Sequence, residues 1–370
     1  MSQRPLCKRL FLLVGSNPLP NFLASIILNP QSICFFYTDE SQPVKNYLEK
    51  ALNKRFFNRY LNAPSQKILD ATDASGIRDV FRKSFDSVSE QDHLHYTGGT
   101  KVMAAQARIA FENALGYSEQ ADKCSSYIDE RKGLMRFDDG GYIEIPKNLK
   151  MTMAEILELH GFDIISICQL QNGPVFEQNI TNIAQAVCES PGLIKDLNRG
   201  PVEKYSELIP ALNAQIVREY QDRFQKGKWL EDYVGGLIRN IAKEADICIG
   251  LKSLRTNKRD FEIDIALTLG YRLFVITCTT KLKLQDCKLK IFEAAMRASQ
   301  LGGDLARSAI VCLVDGGDEK GPYKKQLEDD VRKIWASSNT PEIFSLADLK
   351  EWAGIDGPIN IITLKNWLKS

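Results

Sequence analysis

The sequence predicts an α/β protein of at least two domains, and three observations carry that prediction. Its 370 residues exceed what a single hydrophobic core usually serves. Residues 10–14 and 33–37 are continuous apolar runs of strand length, as in a parallel sheet covered on both faces. Helical patterns alternate with such runs in both halves of the chain, which is the order of strand–helix–strand units. Composition fits a globular class, since 44% hydrophobic against 26% charged residues is enough apolar material for a core.

The first run follows Arg4, Lys8 and Arg9, yet it is too short for a secretory leader, and Gly15, Ser16, Asn17 and Pro18 stop it. A buried strand is expected there. A helix over 22–28, the strand 33–37 and a helix over 45–56 with Leu48 and Leu52 on one face come next. A short strand at 67–69, a helix at 77–85 and a strand ending at Tyr96 continue the alternation. The helix after Thr100 carries Val102, Met103, Ile109, Ala110, Phe111 and Ala114. Residues 133–137 and 142–145 alternate around an Asp/Gly turn and predict a hairpin that finishes the first domain.

The totals exclude several classes. A net charge of +1 rules out a strongly basic global field, so nucleic-acid contact must come from local patches. No run is long enough to span a bilayer, so no membrane partner is expected. Nine scattered cysteines without a C-x-x-C pair predict reduced thiols in a cytoplasm, not a disulfide frame or a zinc site.

Three polar clusters follow strands of the first domain: Gly15, Ser16, Asn17 and Pro18; Thr38 and Asp39 with Glu40 and Ser41; and Tyr96, Thr97, Gly98, Gly99, Thr100 and Lys101. Open α/β sheets bind ligands at such carboxyl ends. Paired glycines allow close backbone approach, and a Thr-capped helix N-terminus beside a lysine suits an anion. The spacing is not that of a Walker A loop. Tyr96 to Met103, with the Gly15 and Tyr37–Thr38 segments, resembles the CARF domain, the Rossmann-like sensor of cyclic oligoadenylates in type III CRISPR immunity. The resemblance implies a homodimer whose two-fold axis matches a cyclic ligand, with cyclic tetra-adenylate the expected ring. Backbone N–H groups and Lys101 would meet phosphates, and Thr and Asn side chains ribose or base edges.

Residues 153–159 predict a short helix ending at His160 and Gly161, where the histidine reads as a helix-end residue. Residues 171–225 are helix-rich and charged, with breaks at Pro191 and Gly200. They read as a connector that transmits a sensor movement, with a winged-helix DNA reader as the alternative. The expected boundaries are thus 1–150, 151–222 and 223–370.

The last segment predicts a helix from Gly227 through Glu231 to Ile238, strands at 246–251, 261–266 and 273–278, a helix over 288–301 and a strand at 309–314. Period-2 geometry places Glu262 and Asp264 on one strand face. This order resembles the PD-(D/E)xK nuclease core, and Gly227 to Glu231, Glu262 to Asp264 and Leu301 to Gly303 resemble the nuclease half of CARF-linked ancillary nucleases. The resemblance implies a Mg²⁺ or Mn²⁺ site at Glu231 and Asp264, with the backbone carbonyl of Cys278 as a third donor. The family's E-x-K is replaced by Thr277, Cys278 and Thr279. Lys281, Lys288 or Lys290 is then the candidate lysine, and Glu293 the candidate replacement carboxylate. Lys290, Glu293 and Arg297 share one helical face, beside a stripe of Leu289, Phe292 and Met296 expected to be buried. Lys252, Arg255, Lys258 and Arg259 form a basic loop that either contacts phosphates or is merely solvated.

The function so implied is a cyclic tetra-adenylate-activated, metal-dependent nuclease that cleaves DNA, RNA or both in antiviral defence. Two alternatives remain open from sequence: a sensor whose nuclease domain is inert because E-x-K is lost, and a ligand-controlled transcription regulator.

Overall fold

The structure, a computed structural model, describes residues 7–56, 61–62, 64–116, 118–130, 132–146, 148–168, 174–201, 204–255, 260–314, 323–335 and 339–369. Two compact units divide the chain: Met1–Leu149 with Ala154–Asp163 and Leu301–Leu305, and Lys150–Met153 with Ile164–Gln300 and Ala306–Ser370.

The first unit runs β1 (Arg9–Leu13), α1 (Leu19–Leu28), β2 (Ser32–Tyr37), α2 (Gln42–Arg55), β3 (Leu61–Asn62), β4 (Gln66–Lys67), α3 (Ala74–Ser84), β5 (Asp92–His95), α4 (Lys101–Leu115), α5 (Ser118–Lys123), β6 (Ser125–Asp129), β7 (Leu134–Phe137), β8 (Tyr142–Glu144) and α6 (Met153–Leu159). Its sheet has the order β3-β2-β1-β5-β6-β7-β8, with β4 also on β2. Strands β3 to β6 pair in parallel and β6, β7 and β8 antiparallel, so the expected hairpin closes the sheet. Phe11, Phe36, Phe81, Phe85 and Phe111 interlock on one face, for example at 4.8 Å between the Phe11 and Phe85 ring centroids. On the opposite face, alternation brings His93 and His95 inward, where both meet Ser126 Oγ, at 2.8 and 3.0 Å. Burial pushes the His95 pKa down to about 3, so this ring is neutral and structural.

The second unit contains β9 (Phe162–Cys168), α7 (Pro174–Glu189), α8 (Leu193–Arg199), α9 (Tyr205–Leu208), α10 (Ala214–Glu219), α11 (Gln221–Phe224), α12 (Lys228–Ile241), β10 (Asp246–Arg255), β11 (Asp260–Leu269), β12 (Arg272–Thr279), α13 (Leu284–Gly302), β13 (Arg307–Cys312), α14 (Tyr323–Ile334), β14 (Glu342–Phe344), α15 (Leu346–Ala353) and α16 (Ile362–Lys369). The sheet order is β14-β13-β12-β11-β10-β9. Strand β11 is antiparallel to both β10 and β12, while β12, β13 and β14 are parallel.

Trp229, Val234 and Ile238 of α12 pack with Ile265, Phe274 and Ile276 of the sheet and with Trp352 and Trp367 of the C-terminal helices. Helices α7 to α11, expected as a connector, share this same core through Phe176, Ile183, Leu197, Tyr205, Val217 and Phe224. Helices α13 and α14 contribute Cys287, Ile291, Leu327 and Val331 to a cluster with Ile310, Cys312 and Ile343. The expected phase of α13 is corrected here. Leu289 and Met296 are exposed, at 67% and 49%, whereas Ala294, Ala295 and Ala298 are buried. The small residues let the helix approach closely, which turns the larger side chains outward. Among the described residues no helix is long and apolar enough to cross a membrane, and the described cysteines form no disulfide.

Helix α12 begins at a backbone reversal. Gly227 has φ +79°, and a Cβ there would lie 2.6 Å from Thr280 Oγ1 and 2.7 Å from its Cγ2. Both the left-handed backbone and the contact forbid a side chain. Gly227→Ala is therefore expected to lower unfolding free energy by about 2–4 kcal/mol in urea titrations. An unchanged midpoint would show that the turn relaxes without cost.

Candidate functional site

The polar loops of the first unit converge through their backbones. A Cβ on Gly98 would stand 2.0 Å from Leu13 O, and one on Gly15 2.9 Å from Gly99 N, so the loops after β1 and β5 lie directly against each other. Asn21 Nδ2 locks the junction by donating to Leu13 O at 2.8 Å. Thr100 caps α4, its Oγ1 accepting from Met103 N at 3.2 Å while donating to Ala71 O at 3.2 Å.

Several predicted ligand residues are committed to this framework. The Tyr96 hydroxyl donates to Asp138, which also takes Arg108 Nε at 2.7 Å. Burial, then the Asp138 contact, pushes the Tyr96 pKa upward, so it stays a phenol. Thr97 Oγ1 accepts from Ile128 N at 2.7 Å. Thr38 N donates to Ser41 Oγ at 2.9 Å, and Asp39 pairs with Lys67 at 2.6 Å. Asn17 Oδ1 accepts from Leu19 N at 3.1 Å and lies 3.3 Å from His160 Nε2, so His160 ends α6 and also braces this loop. Pro18 is the N-cap of α1. What stays open to a ligand is exposed Ser16, exposed Thr100 and Lys101, and the free N–H groups at the start of the 15-residue helix α4.

The second unit gathers the candidate catalytic groups. Asp264 Oδ2 accepts from Thr277 Oγ1 at 2.7 Å and from Cys278 N at 2.8 Å, and Lys290 Nζ stands 3.5 Å away. Lys290 Nζ also donates to Cys278 O at 3.3 Å. Asp264 Oδ1 has no protein donor among the described residues. A cavity of about 240 Å³ beside it is lined by Glu262, Asp264, Thr277, Lys290, Glu293 and Arg297.

Glu231, one turn into α12, is mostly withdrawn from water. Burial and then the charge of Asp264 push its pKa up to about 7, against the pull of Arg223. Arg223 forms a buried fork with Asp232, Nε to Oδ2 at 2.8 Å and Nη2 to Oδ1 at 3.0 Å, and reaches Glu231 Oε2 at 3.5 Å. One guanidinium thus braces the carboxylate beside Asp264.

The remaining sequence candidates go elsewhere. Lys288 pairs with Asp330, and Lys281 with Asp286 at 3.6 Å. Of the three lysines, Lys290 is the one placed at Asp264. Glu262 is half-exposed and stands 3.7 Å from Lys252. Glu293 lines the cavity but is exposed. In the basic loop Lys258 and Arg259 lie outside the described residues, as does the side chain of Arg255.

Two donors were missed from sequence. Thr277 was legible in principle, because a hairpin centred on Gly270 and Tyr271 sets 264 opposite 277. Arg223 was not, because only the positive-φ pair Lys226 and Gly227 folds α11 back against α12.

Asp264, the Cys278 carbonyl that Lys290 also meets, and Glu231, which feels the charge of Asp264, are all oxygen donors, the chemistry that suits a hard divalent cation. The Cys278 thiol is pushed strongly upward by burial, so it is protonated and not a competing soft ligand. Among the described residues no group of three or more His, Cys, Asp or Glu side chains is placed to hold a metal ion.

With this geometry in hand, comparison with known proteins bears first on the second unit. Residues 218–331 match the family model of the Card1-like endonuclease domain. That match runs from the end of α10 into α14 and includes every group around Asp264. Can2 from Sulfobacillus thermosulfidooxidans, solved in complex with cyclic tetra-adenylate, superposes with a TM-score of 0.69 at 15% identity, covering 98% of each chain. Protein VC1899 from Vibrio cholerae gives 0.68 at 14% identity, again over 98% of each chain. A type III CRISPR defence DNA nuclease activated by cyclic oligoadenylate gives 0.54 at 16% identity, covering 86% of this chain and 48% of that one. At these identities the likeness establishes the fold. No curated protein sequence matches the chain.

The raised Glu231 pKa gives stability a pH dependence. In metal-free protein the folded carboxyl keeps its proton to about pH 7 and the unfolded one releases it near 4.5. The folded state therefore binds more protons in that window, and stability falls as pH rises through it. In EDTA, Glu231→Gln is expected to stabilise the protein at pH 8 by on the order of 2 kcal/mol, and hardly at all at pH 4.5. A difference that does not change with pH would contradict the assignment.

Proposed function

We propose that this protein is a metal-dependent nuclease switched on by cyclic tetra-adenylate, acting on DNA or RNA in type III CRISPR defence. The observation that carries the reading is Lys290. A strand lacking E-x-K would ordinarily leave Asp264 without an ammonium group, yet a lysine from the following helix stands against both Asp264 and the Cys278 carbonyl. Catalytic groups are judged by where they stand, not by sequence position.

In this reading Glu231, Asp264 and the Cys278 carbonyl hold Mg²⁺ or Mn²⁺. The ion, when bound, lowers the pKa of a water and offsets charge on the scissile phosphate. Lys290 supplies a fixed positive charge where negative charge grows on the phosphate. Thr277 and the Cys278 N–H fix the orientation of Asp264 by hydrogen bonding to Oδ2. Arg223 does the corresponding work for Glu231. At the other unit, the α4 N-terminus, Lys101, Thr100, Ser16 and the Gly15 and Gly98–Gly99 backbone receive the phosphates of the cyclic activator. A ring of repeated nucleotides suits two copies of the chain about a two-fold axis, so the proposed assembly is a homodimer in the cytoplasm.

Incubation with cyclic tetra-adenylate, Mn²⁺ and either plasmid or single-stranded RNA tests this. Cleavage is expected only when activator and metal are both present. Lys290→Met is expected to lower the rate by roughly 100-fold or more, with the calorimetric heat of activator binding unchanged. Cleavage by Lys290→Met at the wild-type rate would refute the rebuilt site. Activator binding without turnover of any polynucleotide would make the protein a sensor with an inert second domain.

A further inference from the structure

One side chain in the cavity beside Asp264 has no part in the reaction described so far. Arg297 lies on α13 two helical turns beyond Lys290, which carries it roughly 10 Å further along the helix axis. Its guanidinium sits over the Phe261 ring, 5.1 Å from the centroid, and Nη1 donates to Gln300 Oε1 at 3.2 Å. The Nε atom is buried and meets no acceptor. Glu262, Asp264 and Glu293 line the same cavity, yet among the described residues Arg297 pairs with none of them.

These facts are hard to reconcile with an ordinary solvated arginine. A solvated one keeps Nε in water, and a structural one spends its fork on a carboxylate or carbonyls. Here the aromatic face fixes the plane of the guanidinium, Nη1 is tied to Gln300 and Nε is buried, while Nη2 meets no acceptor among the described residues. A guanidinium held in this state keeps Nη2 and its charge for an oxyanion oxygen. The surrounding carboxylates would repel such an anion, so the cavity needs a cation of its own away from the metal.

We propose that Arg297 binds a backbone phosphate of the nucleic-acid strand, flanking the phosphate that lies at Asp264 and Lys290. This deepens the nuclease reading and rests on it. Because every nucleotide carries the same phosphate, the contact positions the strand and does not read its sequence. DNA and RNA share this chemistry, and Arg297 would serve either.

The test is binding of short fluorescein-labelled single-stranded DNA and RNA, in separate arms, followed by anisotropy across a salt series. Full-length protein is used with cyclic tetra-adenylate and with Ca²⁺ as the divalent ion. Arg297→Gln is expected to weaken binding about tenfold whatever the base sequence, and to reduce the slope of log K against log salt by about 0.7, the value for one phosphate contact on a single strand. Arg297→Lys keeps the charge and is expected to keep the slope. If Arg297→Gln melts early, Arg297→Met, which retains the aliphatic stem over Phe261, takes its place. A change in one arm alone assigns the contact to that nucleic acid. An unchanged slope with wild-type protein that does bind overturns the assignment and leaves the nuclease reading standing. Wild-type protein that binds neither oligonucleotide overturns both.

Discussion

Asp264 is held by one of its two oxygens. Thr277 and the Cys278 N–H both donate to Oδ2, and Lys290 approaches the same atom, which leaves Oδ1 without a protein donor among the described residues. Donors fixed on one oxygen orient a carboxylate, and the proposed metal role of Asp264 draws on that orientation. The surrounding fold serves this arrangement. The β11–β12 register sets 264 opposite 277. The small buried residues of α13 bring that helix close enough for Lys290 to reach the end of β12. Gly227 turns the chain into α12, whose Glu231 lies in the field of Asp264.

The residues at the E-x-K position are replaced, yet polar groups still gather at Asp264. Thr277 occupies the place where a second carboxylate is expected, and here it supports the remaining one by hydrogen bonding. Lys290 brings its ammonium from the next helix instead of from the strand. This exchange removes one negative charge from the pocket. Glu231 nevertheless remains raised to about 7 by burial and by Asp264, so the metal-free site still carries unfavourable charge that a divalent cation would relieve.

Much of the fold was legible because burial on both faces writes itself into strands as unbroken apolar runs. β1, β2 and β13 were visible for that reason, and the β7–β8 hairpin through its Asp/Gly turn. Helices α1 and α2 begin earlier than the apolar pattern predicts, at turns that hold Pro20 and Pro43, since proline is tolerated in a first helical turn. Helix α5 buries little beyond Ala121 and leaves no periodic signal. The elements from α14 to α16 and strand β9 went unread. At the candidate site the carboxylates could be named from order along the chain. The choice among Lys281, Lys288 and Lys290 could not, because it depends on the phase of α13 against the sheet. That phase is set by Ala294, Ala295 and Ala298, and not by the larger Leu289 and Met296 that dominate a hydrophobicity count.

A crystal structure of the protein soaked with Mn²⁺, with the ion located by its anomalous signal, tests the central claim most directly. The ion should lie on Glu231, the Oδ1 atom of Asp264 and the Cys278 carbonyl, with the Lys290 ammonium still beside Asp264 Oδ2. An ion bound away from Asp264, or a Lys290 side chain that swings out into solvent when the ion enters, would contradict the account.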